Sequence, residues 1–321
     1  MERRTFIAGS LALAGTPAFA QTAPTPTAAR IKIITTAGPD LKKIEDWYTG
    51  AFDLKVRERG KVSANAAKSW GAPKAAGRGY ILMSSEGSPD VFWRAVETDI
   101  PAGYAPMTTF GWNSWEIIVD DPQAAFEKMK KSPFRYIAGP NPLKSTKSIV
   151  ASQFEGPAKE VFYLTCETGD RTKSILPTPK GLIDRPFILV VAAPDIEKLR
   201  DWYADLFQMA KGNINTTQVE IIARAQGNPD DTPIQLSMLR MSQHGNMLEL
   251  DGYTKSKGAR PRSEGQLPPG NSMASFDVTS LDAIKATFIT PPAKLEGAAY
   301  GGKRSATVMG IAGEPVELIE L

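Results

Sequence analysis

The 321-residue chain is poor in the side chains that do nucleophilic and transition-metal chemistry, with one histidine, His244, and one cysteine, Cys166. A transition-metal site needs about three or four protein ligands drawn mainly from His, Cys and carboxylates. A cysteine nucleophile needs a base beside it, and no histidine lies near Cys166 in sequence. Cys166 ends the apolar run Val161-Phe162-Tyr163-Leu164-Thr165-Cys166, which predicts a strand and a core thiol. His244 precedes the strand-like run Met247-Leu248-Glu249-Leu250 and fits a solvated turn, with an inward orientation as the alternative. The carboxylates set inside apolar runs are the stronger candidates for chemistry. They are Glu249 and, in Pro315-Val316-Glu317-Leu318-Ile319-Glu320-Leu321, Glu317. Strand alternation sends Glu317 and Glu320 to opposite faces.

Other features are weaker. Lys257, Arg260 and Arg262 make a basic loop suited to a solvated linker, and Gly301-Gly302-Lys303-Arg304 lacks the spacing of a phosphate loop. Trp70, Trp93, Trp112 and Trp115 are core candidates, some of which would line a site for a flat apolar ligand. Trp93 and Arg94 alternate, so only one of them faces such a site. A net charge of +3, from 38 basic and 35 acidic residues, offers no nucleic-acid footprint. Hydrophobic residues at 42% and charged residues at 23% mark a globular chain. One cysteine excludes an internal disulfide.

The elements that position these residues begin after an export signal. Arg3-Arg4-Thr5-Phe6-Ile7, the apolar run from Phe6 to Gly15 and Ala18-Phe19-Ala20 predict a twin-arginine-like signal peptide over residues 1–20 and a periplasmic protein. Residues 21–29 form a flexible leader. No later apolar run is long enough for a membrane span.

An internal repeat organises the rest. Pro39-Asp40-Leu41-Lys42-Lys43-Ile44-Glu45-Asp46-Trp47-Tyr48 matches Pro194-Asp195-Ile196-Glu197-Lys198-Leu199-Arg200-Asp201-Trp202-Tyr203 without gaps. Each copy follows an apolar run and predicts a strand, then a helix capped by Asp40 or Asp195. A second repeat lies inside each half. Trp115-Glu116-Ile117-Ile118-Val119 precedes a helical stretch at 122–131, and Ala274-Ser275-Phe276-Asp277-Val278 precedes one at 281–288. The unit of strand, helix and about three strands therefore occurs four times. The Lys-, Ala- and Gly-rich stretch 61–77 predicts a long mobile loop, a lid candidate.

This order resembles the vicinal oxygen chelate (glyoxalase/bleomycin-resistance/extradiol dioxygenase) superfamily. The resemblance rests on Pro194-Asp195 through Phe207, on His244-Gly245-Asn246-Met247-Leu248-Glu249-Leu250, and on the closing Gly313-Glu314-Pro315-Val316-Glu317-Leu318-Ile319-Glu320-Leu321. It implies an α+β fold of four βαβββ modules paired into two domains with cup-shaped mixed sheets. The expected domains are residues 30–168 and 183–321, joined by a linker at 169–182. It also implies a ligand position on the first and last strand of each module. These fall near Phe187 and at Glu249, near Met273 and at Glu317, and at Trp93 and Tyr163. Few of them are metal ligands, so no metal ligand is assigned, although the family leaves room for a divalent metal. Glu317 and Glu249 facing one apolar cup would have raised pKa values and serve as proton-transfer groups. Trp93, Tyr163, Met273, Phe187 and His244 would contact substrate. The expected function is an exported lyase or isomerase acting on a small carbonyl-bearing or aromatic compound. A sequestering binder is the alternative, and a metal-dependent dioxygenase ranks third. The expected partner is a small molecule, with neither nucleic acid nor membrane, and the chain is a monomer or homodimer.

Overall fold

The structure is a computed structural model that describes residues 25–144 and 146–321. The signal peptide and the start of the leader lie outside these residues. Four modules follow one another. The first holds β1 (Ala28–Gly38), α1 (Leu41–Ala51), β2 (Lys55–Lys61), α2 (Ala64–Ser69), a 3-10 turn (Pro73–Ala75), β3 (Gly79–Ser84) and β4 (Phe92–Glu97). The second holds β5 (Gly111–Val119), α3 (Pro122–Lys130), β6 (Arg135–Pro142), β7 (Ile149–Glu155) and β8 (Val161–Glu167). The third holds β9 (Ile183–Ala193), α4 (Ile196–Phe207), β10 (Ile214–Gln218), α5 (Glu220–Ala225), β11 (Pro233–Arg240) and β12 (Met247–Gly252). The fourth holds β13 (Gly270–Val278), β14 (Ala293–Lys294), β15 (Arg304–Met309) and β16 (Pro315–Glu320).

Asp40 and Asp195 cap α1 and α4 as expected, accepting from the backbone N–H of Lys43 and Lys198. The helix expected at 281–288 is a single turn instead. Ile284 N–H bonds back three residues to Leu281, and Glu320 takes the N–H of Leu281. The β-branched Thr287, Ile289 and Thr290 and the following Pro291-Pro292 disfavour its extension.

Two eight-stranded mixed sheets result, ordered β14-β15-β16-β13-β1-β4-β3-β2 and β10-β11-β12-β9-β5-β8-β7-β6. The first sheet joins modules one and four, the second modules two and three. The expected split into domains 30–168 and 183–321 is therefore corrected: each half gives one module to each sheet. The joins are antiparallel, β1 to β13 with Ile31 opposite Phe276, and β5 to β9 with Trp115 opposite Leu189.

Strand alternation divides each sheet. One face feeds a shared core between the sheets, with Trp93, Ala95, Trp115, Leu189, Leu248, Phe276 and Leu318 among its members. The other face forms a cup. The stretch 61–77 closes the first cup as structured chain, corrected from a mobile loop. Its Ala66, Ala67, Trp70 and Ala75 pack on Ile33, Leu82, Phe92 and Met273. In the second cup Ile221 and Ile222 of α5 pack on Val161, Ala192 and Tyr253.

Candidate functional site

In each module the first and last strands run parallel and side by side. Their cup-facing partners are Thr35 with Arg94 and Ser275 with Glu317 in the first cup. In the second cup they are Glu116 with Tyr163 and Val190 with Glu249. Of the positions that the family resemblance marks, Glu317, Glu249 and Tyr163 fall in these pairs, whereas Trp93, Met273 and Phe187 are displaced from them by one to three residues.

The first cup is internally neutralised. Glu317 is fully buried, and its carboxylate accepts from Trp70 Nε1 at 2.8 Å, Tyr300 Oη at 2.8 Å, Arg94 Nη2 at 2.9 Å and Ser275 Oγ. Arg94 also donates through Nε to Thr35 Oγ1 at 3.0 Å and through Nη1 to Tyr300 Oη at 2.9 Å. Its guanidinium lies 4.5 Å from the centre of the Trp70 ring. Burial alone would raise the Glu317 pKa, but Arg94 and the hydroxyl and indole donors hold it below the usual carboxylate range. Burial likewise opposes the Arg94 charge, and Glu317 and Tyr300 outweigh it, so its pKa is raised. Burial, then Glu317, pushes the Tyr300 hydroxyl far up, which keeps it protonated.

Above this cluster lies a cavity of about 330 Å³ lined by Trp70, Arg94, Tyr300, Tyr80, Leu82 and Val62, with Glu58, Lys61 and Glu296 at its rim. Tyr300 reaches inward from the strap 295–302. Glu58 pins that strap, accepting from Ala298 N–H at 2.7 Å and from the Tyr80 hydroxyl.

The second cup has a different charge pattern. Glu116, Glu249 and Asp251 share its inner face with Tyr163. Glu116 accepts from Thr165 Oγ1 at 2.9 Å, and neither Asp251 oxygen has a hydrogen-bond partner. Burial pushes Glu116 up to about 7 and Asp251 to about 8, Glu116 adding to the latter. Glu249 rises well above its usual value by burial and by the charges of Asp251 and Glu116.

Several expectations change in detail. Glu317 and Glu249 line different cups, so they do not share one substrate, and the Glu317 pKa falls where a rise was expected. Trp93 points away from the cup into the shared core, 5.1 Å from Phe52 and 5.4 Å from Tyr48 between ring centres. The neighbouring Arg94 takes the inward position. Met273 and Phe187 are fully buried packing residues in the two cups. His244 is exposed on a turn and bonds the Ser174 carbonyl at 3.0 Å, which removes it from either cup. Tyr163 faces the second cup, partly exposed. Sequence reasoning weighed Arg94 only as the alternative to Trp93, and missed Tyr300, Ser275, Glu116 and Asp251. A lone arginine inside Val91-Phe92-Trp93-Arg94-Ala95-Val96 was the available signal for Arg94.

A divalent metal does not fit either set. In the first cup a guanidinium stands in a ligand position and already pairs with Glu317. In the second, Val190 fills one position, and among the described residues no group of three or more His, Cys, Asp or Glu side chains converges as a metal site.

This geometry is that of the vicinal oxygen chelate fold, and the chain adopts it over nearly its whole length. Glyoxalase I from Zea mays superimposes with a TM-score of 0.56 at 14% identity, covering 91% of this chain and 92% of that one. A putative dioxygenase from Bacillus subtilis superimposes with a TM-score of 0.58 at 12% identity, covering 92% and 86%. No protein-family model and no curated protein sequence matches this chain. Among the described residues no helix is long and apolar enough to cross a membrane.

Proposed function

We propose that this chain is an exported enzyme of lyase or isomerase type that moves a proton on a small carbonyl-bearing or aromatic compound held in the first cup. The observation that carries this reading is the Arg94–Tyr300–Glu317 cluster at the floor of a capped cavity. Arg94 has five N–H donors, four of them used on Thr35, Tyr300, Ser275 and Glu317. The fifth, on Nη1, is available to a substrate oxygen and would stabilise an enolate as it forms. The Tyr300 oxygen takes the substrate proton as its own proton passes to ionised Glu317 in one concerted transfer, so Tyr300 stays neutral and Glu317 ends protonated, with Arg94 donating to the Tyr300 oxygen throughout. The reverse transfer returns the proton to a neighbouring atom. Trp70 and the apolar wall exclude water.

Solvent-deuterium exchange, followed by NMR on a panel of 2-oxo acids, aryl ketones and aldehydes, tests the reading. Glu317→Gln and Tyr300→Phe should each slow exchange by about 100-fold or more while retaining ligand binding. A sequestering binder is the second reading, favoured by the four donors that saturate Glu317. Tight binding of a panel member without exchange in the wild-type chain would establish it. Export rests on Arg3-Arg4 and Ala18-Phe19-Ala20. N-terminal sequencing of the periplasmic protein should begin at Gln21.

A further inference from the structure

We infer that the second cup is a binding site for a small organic cation, a protonated amine carried on an apolar body. This goes beyond the proton-transfer reading, since it concerns the other sheet and none of the same residues.

The two cups are related by the repeat. Glu249 stands 155 residues after Arg94, the offset that also separates Asp40 from Asp195. The cation that neutralises the first cup is thus an anion in the second. Glu116, Glu249 and Asp251 are all acidic, and Tyr163 and Tyr253 are the other titratable groups beside them; Arg260 acts on Tyr253, but its N–H groups are committed to Thr109 and to the carbonyls of Pro269, Asn271 and Trp112. No basic side chain contributes to the environment of any of the three carboxyls.

Asp251 provides the second, independent observation. It is fully buried, and both of its oxygens lack partners. The other buried carboxyls among the described residues are supplied with donors, among them Glu160 by Tyr48 and Ala158 N–H, Glu314 by Tyr203 and Ala312 N–H, Glu317 by four groups, Asp184 by Ser85 and Asp277 by Arg30. A buried acceptor left bare is costly, and an ammonium group supplies both the charge and up to three N–H donors. The same demand could be met by a metal, but the carboxyls do not converge on one point. Tyr163 and Tyr253 instead offer aromatic rings beside the carboxyls, suited to an alkylammonium. Ile188, Val190 and Met247 belong to the buried hydrophobic cluster on the same sheet, an apolar surrounding that favours an apolar body on the amine.

Isothermal titration of the mature full-length chain with benzylammonium chloride, benzyl alcohol and Mn²⁺ alone tests the assignment. At pH 8 benzylammonium should bind saturably and about tenfold or more tighter than benzyl alcohol. Binding should release protons, seen as a heat that changes with the buffer's ionisation enthalpy, and should weaken about tenfold or more at pH 5.5. Asp251→Asn should weaken it similarly, and Glu116→Gln serves the same purpose should the first variant fail to fold. Equal affinity for the alcohol, no ammonium binding at millimolar concentration, or saturable Mn²⁺ binding that displaces the ammonium would each overturn the inference.

Discussion

Tyr48 of α1 donates a buried 2.6 Å hydrogen bond to Glu160, and 155 residues later Tyr203 of α4 donates one of 2.7 Å to Glu314. Each bond ties a helix packed on one sheet to a strand-entry turn of the other. In each turn a glycine lets the carboxyl fold back: a Cβ on Gly156 would meet Glu160 Oε1 at 2.0 Å, and one on Gly310 would meet Glu314 Oε1 at 2.0 Å. Tyr48→Phe leaves the Glu160 oxygen without its side-chain donor. It should cost about 1–3 kcal/mol in urea unfolding, with Tyr203→Phe similar. An unchanged midpoint in both variants would show that the hydroxyls do not staple the sheets.

The same carboxyls set a pH dependence of stability. Burial pushes Glu160, Glu314 and Glu116 up to about 7 and Asp251 up to about 8, from ordinary values near 4.5 and 3.8. A raised folded pKa contributes stability that is full below the unfolded value and is lost as pH rises through the folded one. The urea midpoint should therefore fall between about pH 5 and pH 8. Glu317, lowered overall by Arg94 and its other donors, works oppositely, adding stability that disappears in acid. Glu160→Gln should flatten the fall. A midpoint that rises steadily from pH 5 to 8 would contradict these assignments.

The Arg94–Glu317 pair is almost completely buried, with side-chain exposures of 3% and 0%. Removing one partner strands the other. Arg94→Met should destabilise the chain by about 3–5 kcal/mol, whereas Arg94→Met with Glu317→Leu should recover much of that loss. A double-mutant cycle by thermal unfolding reads the difference. Additive losses would mean that the two charges are not coupled.

The sequence carried the modules more clearly than their pairing. The gapless repeat through Asp46-Trp47-Tyr48 and Asp201-Trp202-Tyr203 locates α1, α4 and their caps, because a capped amphipathic helix is written in local spacing. Which modules share a sheet is written only in contacts such as Ile31 with Phe276, far apart in sequence, and all four modules offer similar strands to pair. The inward register was hidden for a related reason. Phe92, Trp93, Ala95 and Val96 are all buried, since β4 is covered on both faces, so alternation of polarity gives no sign of which face is the cup. Glu317 was legible from the closing strand. Its donors Trp70, Tyr300 and Ser275 come from segments that converge only in the folded chain.

The strap over the first cup offers a separable test. Glu58 holds it through Ala298 N–H and is bonded on its other oxygen by Tyr80, and Gly297 beside it has φ of +113°. Glu58→Ala removes an anchor at the rim while leaving Arg94, Glu317 and their mutual contacts in place. Losing one such bond costs about 1 kcal/mol, so local opening of 295–302 should rise by about five- to tenfold in hydrogen exchange, with little change in global unfolding. Because Tyr300 rides on the strap, proton exchange on a bound carbonyl compound should slow in parallel. Unchanged exchange at 295–302 would instead mean that the bonds from Tyr300 to Arg94 and Glu317 hold the strap alone, and Tyr300→Phe would then be the variant that loosens it.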